Sequence, residues 1–292
     1  MIMANNTDNI EYKFYNTDLE IEEATQLLNI SQEQQQAWNT KYDEAKYVAN
    51  HFRLLGKESK AKRISECGSI VVATNLGTGE VTHYRNRCNT RMCPICTWRK
   101  GLKIADEMKA IVNNISTNNN YKWITVTLTT KNVKGADLQQ EIEALNKGLT
   151  KLLSYAKVKK VVKGTFSALE ITYNAKTNEY HPHFHLMVAV MPSYFKKAEY
   201  RIKNNEWVDL WKKAMNLNYT PTVKVKAVDN TNNLIDELSK FIYYIVKGIF
   251  NNLSNMKYDI FNAVIDRLDD SLSYKRLFRY TGVIATVKAT IN

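Results

Sequence analysis

Three of the five histidines in this chain lie in one short stretch, His181–His185. The residues that follow, Leu186–Val190, are almost all strongly apolar, which is typical of a buried strand. Alternate residues of a strand share a face, so the side chains of His183 and His185 should point the same way. Two imidazoles on one face can bind one divalent ion, and the stretch therefore predicts a metal site. The alternative is a rim of solvated histidines at the start of a strand.

A carboxylate on the preceding predicted strand completes the candidate site. If the hairpin turns midway between Lys176 and Thr177, Glu170 lies opposite His183 and shares its face. Three protein ligands leave positions for water or substrate, which is the catalytic pattern of metal binding. A slip of one residue would turn Glu170 away, and a cross-strand charge pair is its alternative role. His181 shares the face at the frayed start of its strand, where we expect it to support a ligand or contact substrate.

The four cysteines form a second candidate site, with zinc as the expected ion: Cys67, Cys88, Cys93 and Cys96. The last three are closely spaced, and Cys67 returns near Cys88 if segments 67–74 and 81–87 pair as strands. Four thiolates around Zn²⁺ make a closed structural site. His83 is the replacement ligand if Cys67 is only a small buried side chain. Four unrelated core thiols are the remaining alternative.

A predicted helix over Leu234–Ile249 carries two candidate nucleophiles, Tyr243 and Tyr244. Lys240 and Lys247 lie about one turn away, where an ammonium group favours the phenolate and can hold a phosphate. A tyrosine that attacks a phosphodiester needs such a neighbour. The alternative is that both tyrosines simply pack on a half-buried helix.

Charge favours a polyanionic partner. Lys and Arg exceed Asp and Glu by 41 − 29 = 12, an excess that nucleic acid matches most simply. Around the cysteines, a basic surface for phosphates is expected from Arg85, Arg87, Arg91, Arg99 and Lys100. The first twenty residues are too polar for a signal peptide, and no apolar run approaches the roughly 18 residues of a membrane span. A reducing compartment is therefore expected, in which cysteines are thiols or ligands.

The predicted elements give an α+β chain. Strands are predicted over Cys67–Thr74, Val81–Arg85, Trp123–Thr129, Gly164–Tyr173, His183–Val190 and Thr222–Val228. Helices are predicted over 20–55 with Ser31 as N-cap, Ile95–Ile115, Asp137–Ala156, Ser193–Met215 and Leu234–Ile249. From residue 123 onward the order β-α-β-β-α-β indicates an antiparallel, ferredoxin-like (split βαβ) sheet, with helices on one face and the other face free for a ligand. Residues 1–19 are expected to be disordered or loosely attached.

Seven segments in a fixed order resemble the rolling-circle plasmid replication initiators of the HUH endonuclease superfamily, and most closely the Rep_1 type. They are Cys67–Ile70, Arg91–Arg99, Leu128–Asn132, Leu169–Tyr173, His181–His185, Trp207–Trp211 and Tyr244–Lys247. The segment Tyr274–Gly282 also resembles the C-terminal part of that family. The resemblance implies four parts: an N-terminal helical extension over 1–56, a zinc-binding module over 57–120, an HUH catalytic core over 121–251 and a C-terminal helical segment over 252–292.

The resemblance also implies a nicking and closing enzyme. A Mg²⁺ or Mn²⁺ ion held by His183, His185 and Glu170 would polarise the scissile phosphate of plasmid origin DNA in single-stranded or hairpin form. A tyrosine would attack, giving a 5′-phosphotyrosine link and a free 3′-hydroxyl primer, and the strand could later be rejoined. A host helicase and a DNA polymerase are implied partners in the bacterial cytoplasm, with no membrane; a homodimer is left open.

The nucleophile is assigned from the same resemblance. The family pattern Tyr-x-x-Lys falls on Tyr244 and Lys247, with Tyr243 in reserve. Family members place a glutamate for the terminating cleavage one turn before the tyrosine, where this chain has Lys240. Glu237 lies two turns before Tyr244, and its role stays open. Aligning Glu237 with the family glutamate would put an unreactive phenylalanine at the nucleophile position.

Two other functions fit part of these patterns. A zinc-containing DNA-binding protein without nuclease activity would keep the cysteines and the charge but would not need His183 and His185. A mobilisation relaxase or an HUH transposase would keep the chemistry, but the cysteine module points away from both.

Overall fold

A computed structural model describes residues 10–15, 32–75, 77–228 and 258–291 of the chain. The chain forms two compact units, residues 1–99 and residues 100–292, and one helix crosses the boundary between them. Each unit contains an antiparallel sheet and helices, so the expectation of an α+β chain with antiparallel sheets is confirmed. The finer division into four parts stays a prediction. No helix in the described ranges is long and apolar enough to cross a membrane.

The unit formed by residues 1–99 has a three-stranded sheet in the order β1-β2-β3. Its elements are β1 (Ile10–Tyr15), α1 (Gln32–Leu54), α2 (Glu58–Ser65), β2 (Ile70–Asn75), β3 (Val81–Arg85) and the start of α3 (Pro94–Asn119). The expectation that residues 1–19 are disordered or loosely attached is wrong for residues 10–15, because β1 pairs along its whole length with β2. The residue types in β1 alternate between apolar and charged, which is typical of a strand.

The unit formed by residues 100–292 has a five-stranded sheet in the order β7-β4-β6-β5-β8, with every neighbouring pair antiparallel. Its strands are β4 (Lys122–Thr129), β5 (Val162–Asn174), β6 (Glu179–Val190), β7 (Val223–Val228) and β8 (Phe278–Thr281). Its further helices are α4 (Leu138–Ser154), α5 (Ala156–Val161), α6 (Ser193–Lys196), α7 (Asn204–Met215), α8 (Tyr258–Ser271) and α9 (Gly282–Ile291). The helix predicted over Ser193–Met215 is therefore two helices.

The C-terminal segment, expected to be helical, also contains the short strand β8. Phe278, Arg279, Tyr280 and Thr281 pair with β5 and extend the sheet. Gly282 then turns the chain directly into α9 with a φ of 55°, and a Cβ atom there would collide with the backbone oxygen of Lys163. Glycine is therefore required at the turn from β8 to α9.

The register predicted for the β5–β6 hairpin is confirmed. Glu170 pairs with His183, and the same pairing continues to Asn174 and Glu179 at the turn. Asn178 closes the turn with a φ of 50°, a conformation that asparagine tolerates better than most residues. The hairpin therefore places Glu170 and His183 side by side on one face.

Helices pack against both faces of the five-stranded sheet. On one face Gly148 of α4 lies against Met215 and Trp211 of α7, and the indole Nε1–H of Trp211 donates to the Thr129 carbonyl at 2.8 Å. The opposite face forms a core with α3 and α9, made by Ile104, Met108, Ile111, Val112, Ile115, Trp123, Phe166, Ala168, Met187, Ala189, Ile284 and Val287. The expectation that this second face would be free is therefore wrong for the half that these residues cover.

Candidate metal centres

The histidines and glutamate predicted to bind a catalytic ion come together as a triad. One carboxylate oxygen of Glu170, Oε2, lies 2.7 Å from Nε2 of His185 and 3.1 Å from Nε2 of His183. The two Nε2 atoms are 3.1 Å apart. Glu170 lies two residues after Ala168 in β5, so both side chains point to the same face of the sheet. The triad therefore lies on the face that α3 and α9 cover, nearer the hairpin turn than their core.

Neighbouring groups hold both imidazoles in place. Nδ1 of His183 lies 3.0 Å from the backbone carbonyl oxygen of His181, and this contact directs its Nε2 toward Glu170. Nδ1 of His185 lies 3.2 Å from Oγ1 of Thr127 on β4. Such partners on the outer nitrogen typically orient metal-binding histidines. Sequence reasoning missed Thr127, because its position depends on the pairing of β4 with β6 across a long stretch of chain.

The donor set fits a divalent cation. The Nε2 atoms of His183 and His185 lie 3.1 and 2.7 Å from one carboxylate oxygen of Glu170, so a divalent cation can replace the protons that otherwise balance its charge. Ligands at right angles around an ion, with bonds of about 2.1 Å, are about 3 Å apart, close to the distances within the triad. Two imidazoles and a carboxylate suit Mn²⁺ and other transition metals better than Mg²⁺, which prefers oxygen ligands.

Glu170 is ionised at neutral pH although it is buried. Burial alone would raise the pKa of its carboxyl, but hydrogen bonds from His183 and His185 and their charge lower the pKa to about 2. Only 7% of Glu170 is exposed, so water screens these interactions weakly. The carboxylate is therefore available as a ligand over the whole physiological pH range.

A prediction about acid stability follows from the lowered pKa of Glu170. Its ionised form stabilises the folded chain above the unfolded carboxyl pKa of about 4.3, and this stability is lost as the pH falls toward about 2. The comparison is made in the presence of a chelator. Below pH 5 the free energy of unfolding of the wild type should fall more steeply than that of Glu170→Gln, and by pH 2 the extra loss should reach up to about 3 kcal/mol. Urea titrations at several pH values measure the difference.

Glu199→Gln is the matched control for this titration, because Glu199 is exposed. We expect the free energy of unfolding of this variant to change with pH as that of the wild type does, because Glu170 is retained. Parallel curves for the wild type and Glu170→Gln would contradict the ionised, hydrogen-bonded state of Glu170.

His181 lies next to the triad. Its ring stacks on the ring of His183, with 4.9 Å between centroids, and among the described residues its side chain is not part of either cluster of metal-binding groups. Burial, and then the charge of His183, lower the pKa of His181, which favours the neutral ring at pH 7. Its backbone carbonyl oxygen contacts Nδ1 of His183, and the role of its side chain stays a prediction.

The four cysteines also come together, in the unit formed by residues 1–99. Sγ of Cys96 lies 3.4 Å from Sγ of Cys67 and 3.7 Å from Sγ of Cys88, and all four sulfurs lie within 4.8 Å of one another. Every cysteine is a free thiol. Four sulfurs bound to zinc at about 2.3 Å would be about 3.8 Å apart, so the cluster fits a closed tetrahedral site.

Local backbone structure positions these sulfurs. Cys67 follows α2, and the next residue, Gly68, has a φ of 87° and lies so close to Tyr42 that a Cβ atom would be 2.9 Å from its ring. Backbone N–H groups of Thr90 and Cys96 point at the sulfurs of Cys88 and Cys93, at 3.4 and 3.5 Å. Hydrogen bonds from Cys67 lower the pKa of the Cys88 and Cys96 thiols, whereas hydrogen bonds within the same cluster raise the pKa of Cys67 and Cys93. Zinc would have to displace the protons that the latter two retain.

His83 does not replace Cys67 as a ligand. It is exposed on β3, opposite Val72, and lies outside the cysteine cluster. Cys67 itself is 1% exposed, and its sulfur contacts that of Cys96.

Two of the arginines near the cysteines have a packing role. The guanidinium groups of Arg85 and Arg99 lie over the ring of Trp38, at 4.3 and 5.3 Å from its centroid. Nη1 of Arg85 donates to the Tyr42 hydroxyl at 2.6 Å. The expected basic surface is therefore reduced, because these two arginines are half-buried, whereas Arg87 is exposed.

The predicted nucleophile helix over Leu234–Ile249 lies outside the described residues. The same holds for its four candidate side chains, Tyr243, Tyr244, Glu237 and Lys247. Their roles stay predictions.

Comparison with known proteins identifies the family to which the chain is similar. The sequence pattern of the family Rep_1, described as "Replication protein", matches residues 80–292. A protein rep of Bacillus amyloliquefaciens is 35% identical over 285 residues, which cover 87% of this chain and 82% of that protein. A protein rep of a Bacillus species is 36% identical over 270 residues (84% and 87%), and one of Staphylococcus aureus is 34% identical over 199 residues (67% and 85%). No solved structure matches the chain. The chain belongs to the Rep_1 family of replication proteins, as the ordered sequence segments predicted.

Proposed function

We propose that this chain is a plasmid rolling-circle replication initiator that nicks and rejoins one strand of origin DNA. The observation that carries the proposal is the convergence of Glu170, His183 and His185 on one point, with both histidines held by further hydrogen bonds. A protein that only bound DNA would not need this arrangement. Membership of a family of replication proteins supports the same conclusion.

The sheet order supports an HUH catalytic core. The strands β4, β5, β6 and β7 alternate with helices in the order β-α-β-β-α-β, and they are arranged in space as β7-β4-β6-β5. This order matches the one expected of a ferredoxin-like, split βαβ sheet with β8 added, and it supports the proposed core. Within it the two histidines come from a central strand, which gives them a rigid support.

The reaction would be a transesterification at one phosphodiester. A divalent ion bound by Glu170, His183 and His185, Mn²⁺ or Mg²⁺, would withdraw electron density from the scissile phosphate. The hydroxyl of Tyr244 would attack the phosphorus, with Lys247 favouring the phenolate and Tyr243 as the alternative nucleophile. The P–O3′ bond breaks, which leaves a 5′-phosphotyrosine and a 3′-hydroxyl that can prime synthesis. Glu237 is the candidate base for the terminating cleavage.

The cysteine cluster would have a structural role. Zn²⁺ bound by all four sulfurs leaves no position for a substrate, so it would fix the fold of this module and not take part in cleavage. In the fuller proposal, residues 57–120 form this module, 121–251 the catalytic core, and 1–56 and 252–292 helical additions. The partners are the double-strand origin in single-stranded or hairpin form, a host helicase and a host polymerase in the bacterial cytoplasm, with a homodimer as a further arrangement to test.

The nucleophile can be tested directly with a labelled single-stranded oligonucleotide that carries the cognate origin. In Mn²⁺, the wild type and Tyr243→Phe should form a covalent protein–DNA adduct, and Tyr244→Phe should form none, because phenylalanine has no attacking oxygen. A denaturing gel separates the adduct from free DNA.

The two tyrosine variants are matched controls for each other, since each removes one hydroxyl from adjacent residues. Loss of the adduct in Tyr243→Phe alone would move the nucleophile by one residue. If the wild type cuts no origin oligonucleotide, the nuclease proposal fails and a non-catalytic, zinc-containing DNA-binding protein takes its place.

A further inference from the structure

The edge strand β7 carries two lysines on the sheet face of the triad. Lys224 pairs with Thr127, and Thr127 pairs on its other side with His185. Residues directly opposite each other in antiparallel strands point to the same face, so these side chains form one row across three strands. Lys226 follows on the same face, opposite Thr125.

Both ammonium groups are available to a ligand. Lys224 and Lys226 are exposed, and within the described ranges neither side chain has a hydrogen bond or an ion pair. Alternate residues of the same strand are apolar, and the first of them, Val223, is buried on the opposite face. Lysines are common on edge strands as a guard against aggregation. That role does not depend on the distance from the triad, whereas a contact with a bound DNA strand does.

The spacing matches a nucleic-acid strand. Residues two apart in a strand are separated by about 6.8 Å, close to the repeat of an extended sugar–phosphate backbone. Adjacent strands lie about 4.8 Å apart, so the backbone of Lys224 is about 10 Å from that of His185, two strands away. An extended lysine side chain spans more than half of that gap. Its ammonium group can therefore reach a phosphate that lies beside the triad.

From this placement we propose that Lys224 and Lys226 bind two successive phosphates of the single DNA strand that enters the triad. The proposal rests on the proposed function for the identity of the strand. Lys224 would bind the phosphate nearer the triad, and Lys226 the next one along β7. Both are positioning residues: they hold the backbone of the strand but do not touch the reacting atoms, and their contacts are independent of base sequence.

The experiment measures binding of fluorescein-labelled dT20 by anisotropy in EDTA, from 50 to 300 mM KCl. Each phosphate contact with single-stranded DNA contributes about 0.7 to the slope of log K against log salt. The double variant Lys224→Gln/Lys226→Gln should therefore lower the slope by about 1.4 and bind several-fold more weakly at low salt. Lys224→Arg/Lys226→Arg keeps both charges and should restore the wild-type slope.

Lys122→Gln/Lys151→Gln is the matched control, since it removes two exposed charges from the far end of β4 and from α4. Its slope should stay within about 0.3 of the wild type. The proposal is overturned if the double variant at 224 and 226 changes the slope no more than this control does. Equal thermal unfolding midpoints exclude misfolding as a cause.

Cleavage is not needed for this measurement, so the two proposals can fail separately. If the 224/226 variant loses the expected salt slope but the wild type never nicks its origin, the nuclease proposal is rejected and the phosphate contacts stand. If the wild type nicks its origin but the 224/226 variant loses no more salt slope than the control, the phosphate contacts are rejected and the nuclease proposal stands. In a nicking chain the same variant should raise KM and leave kcat nearly unchanged, because uniform binding is lost.

Discussion

Replacing His185 by alanine is expected to abolish nicking of origin DNA, with a loss of about 10³-fold or more in the single-turnover rate. A divalent ion contributes several kcal/mol to the stabilisation of developing charge, and each 1.4 kcal/mol corresponds to about tenfold in rate. His185 Nε2 is 2.7 Å from Oε2 of Glu170, the shortest contact of the triad, so its loss removes both a ligand and the partner of the carboxylate.

Graded variants make this prediction sharper. Thr127→Val removes only the hydroxyl that lies 3.2 Å from Nδ1 of His185, and we expect a loss of about 10- to 100-fold with weaker Mn²⁺ binding. His83→Ala changes an exposed histidine outside both clusters and should be indistinguishable from the wild type. A rate series at increasing Mn²⁺ should rescue Thr127→Val in part, because its ligands are intact.

The measurement is the rate of adduct formation on a labelled origin oligonucleotide, together with Mn²⁺ affinity from calorimetry or electron paramagnetic resonance. The wild type should bind Mn²⁺ more tightly than Mg²⁺, because two of the three proposed ligands are imidazole nitrogens. If His185→Ala cleaves the oligonucleotide at the wild-type rate, the triad has another role. Undiminished Mn²⁺ binding by that variant would show that the ion lies elsewhere.

The triad could be predicted from sequence because its geometry depends on one local hairpin. A two-residue period and a short turn were sufficient to pair Glu170 with His183, and the structure has that register. Thr127 depends on the pairing of β4 with β6, which a long stretch of chain separates. No period within β4 reveals which residue of β6 lies opposite, so this support could not be found from sequence.

Two strands that sequence reasoning missed have partners that are distant in sequence. β1 and β8 are short strands, and each is stabilised by pairing with a strand far along the chain. Likewise, the helical pattern of α3 does not specify which face of the sheet it covers. Buried residues of α3 such as Met108 and Ile111 pack on the face that was expected to be free. That face carries the apolar side chains of Phe166 and Met187, which α3 covers.

Removing zinc is expected to unfold the unit formed by residues 1–99. Cys67 follows α2, Cys88 follows β3, and Cys93 and Cys96 bracket the start of α3, so one ion would join three elements that are separate in sequence. Structural zinc sites contribute folding free energy directly, and without the ion no metal–ligand bond would hold the four clustered sulfurs together. Cys96→Ser should therefore lose zinc and several kcal/mol of stability in this unit.

The tryptophans of this unit give a specific signal for that change. The rings of Trp38 and Trp98 meet edge to face with centroids 5.1 Å apart, and Trp98 lies two residues after Cys96 in α3. Loss of zinc should therefore collapse the near-ultraviolet circular dichroism of the pair and open residues 32–99 to proteolysis. The zinc content of the purified chain should be about one ion in the wild type and none in Cys96→Ser.

His83→Ala separates this prediction from the alternative ligand set. It should retain one zinc ion and the dichroism signal, since His83 is exposed on β3 and outside the cluster. Retention of zinc by Cys67→Ser together with its loss from His83→Ala would put His83 in place of Cys67 as the fourth ligand. Full stability of the wild type after complete chelation would show that hydrogen bonds and packing alone hold the four cysteines together, and the cluster would then be a core of thiols instead of a metal site.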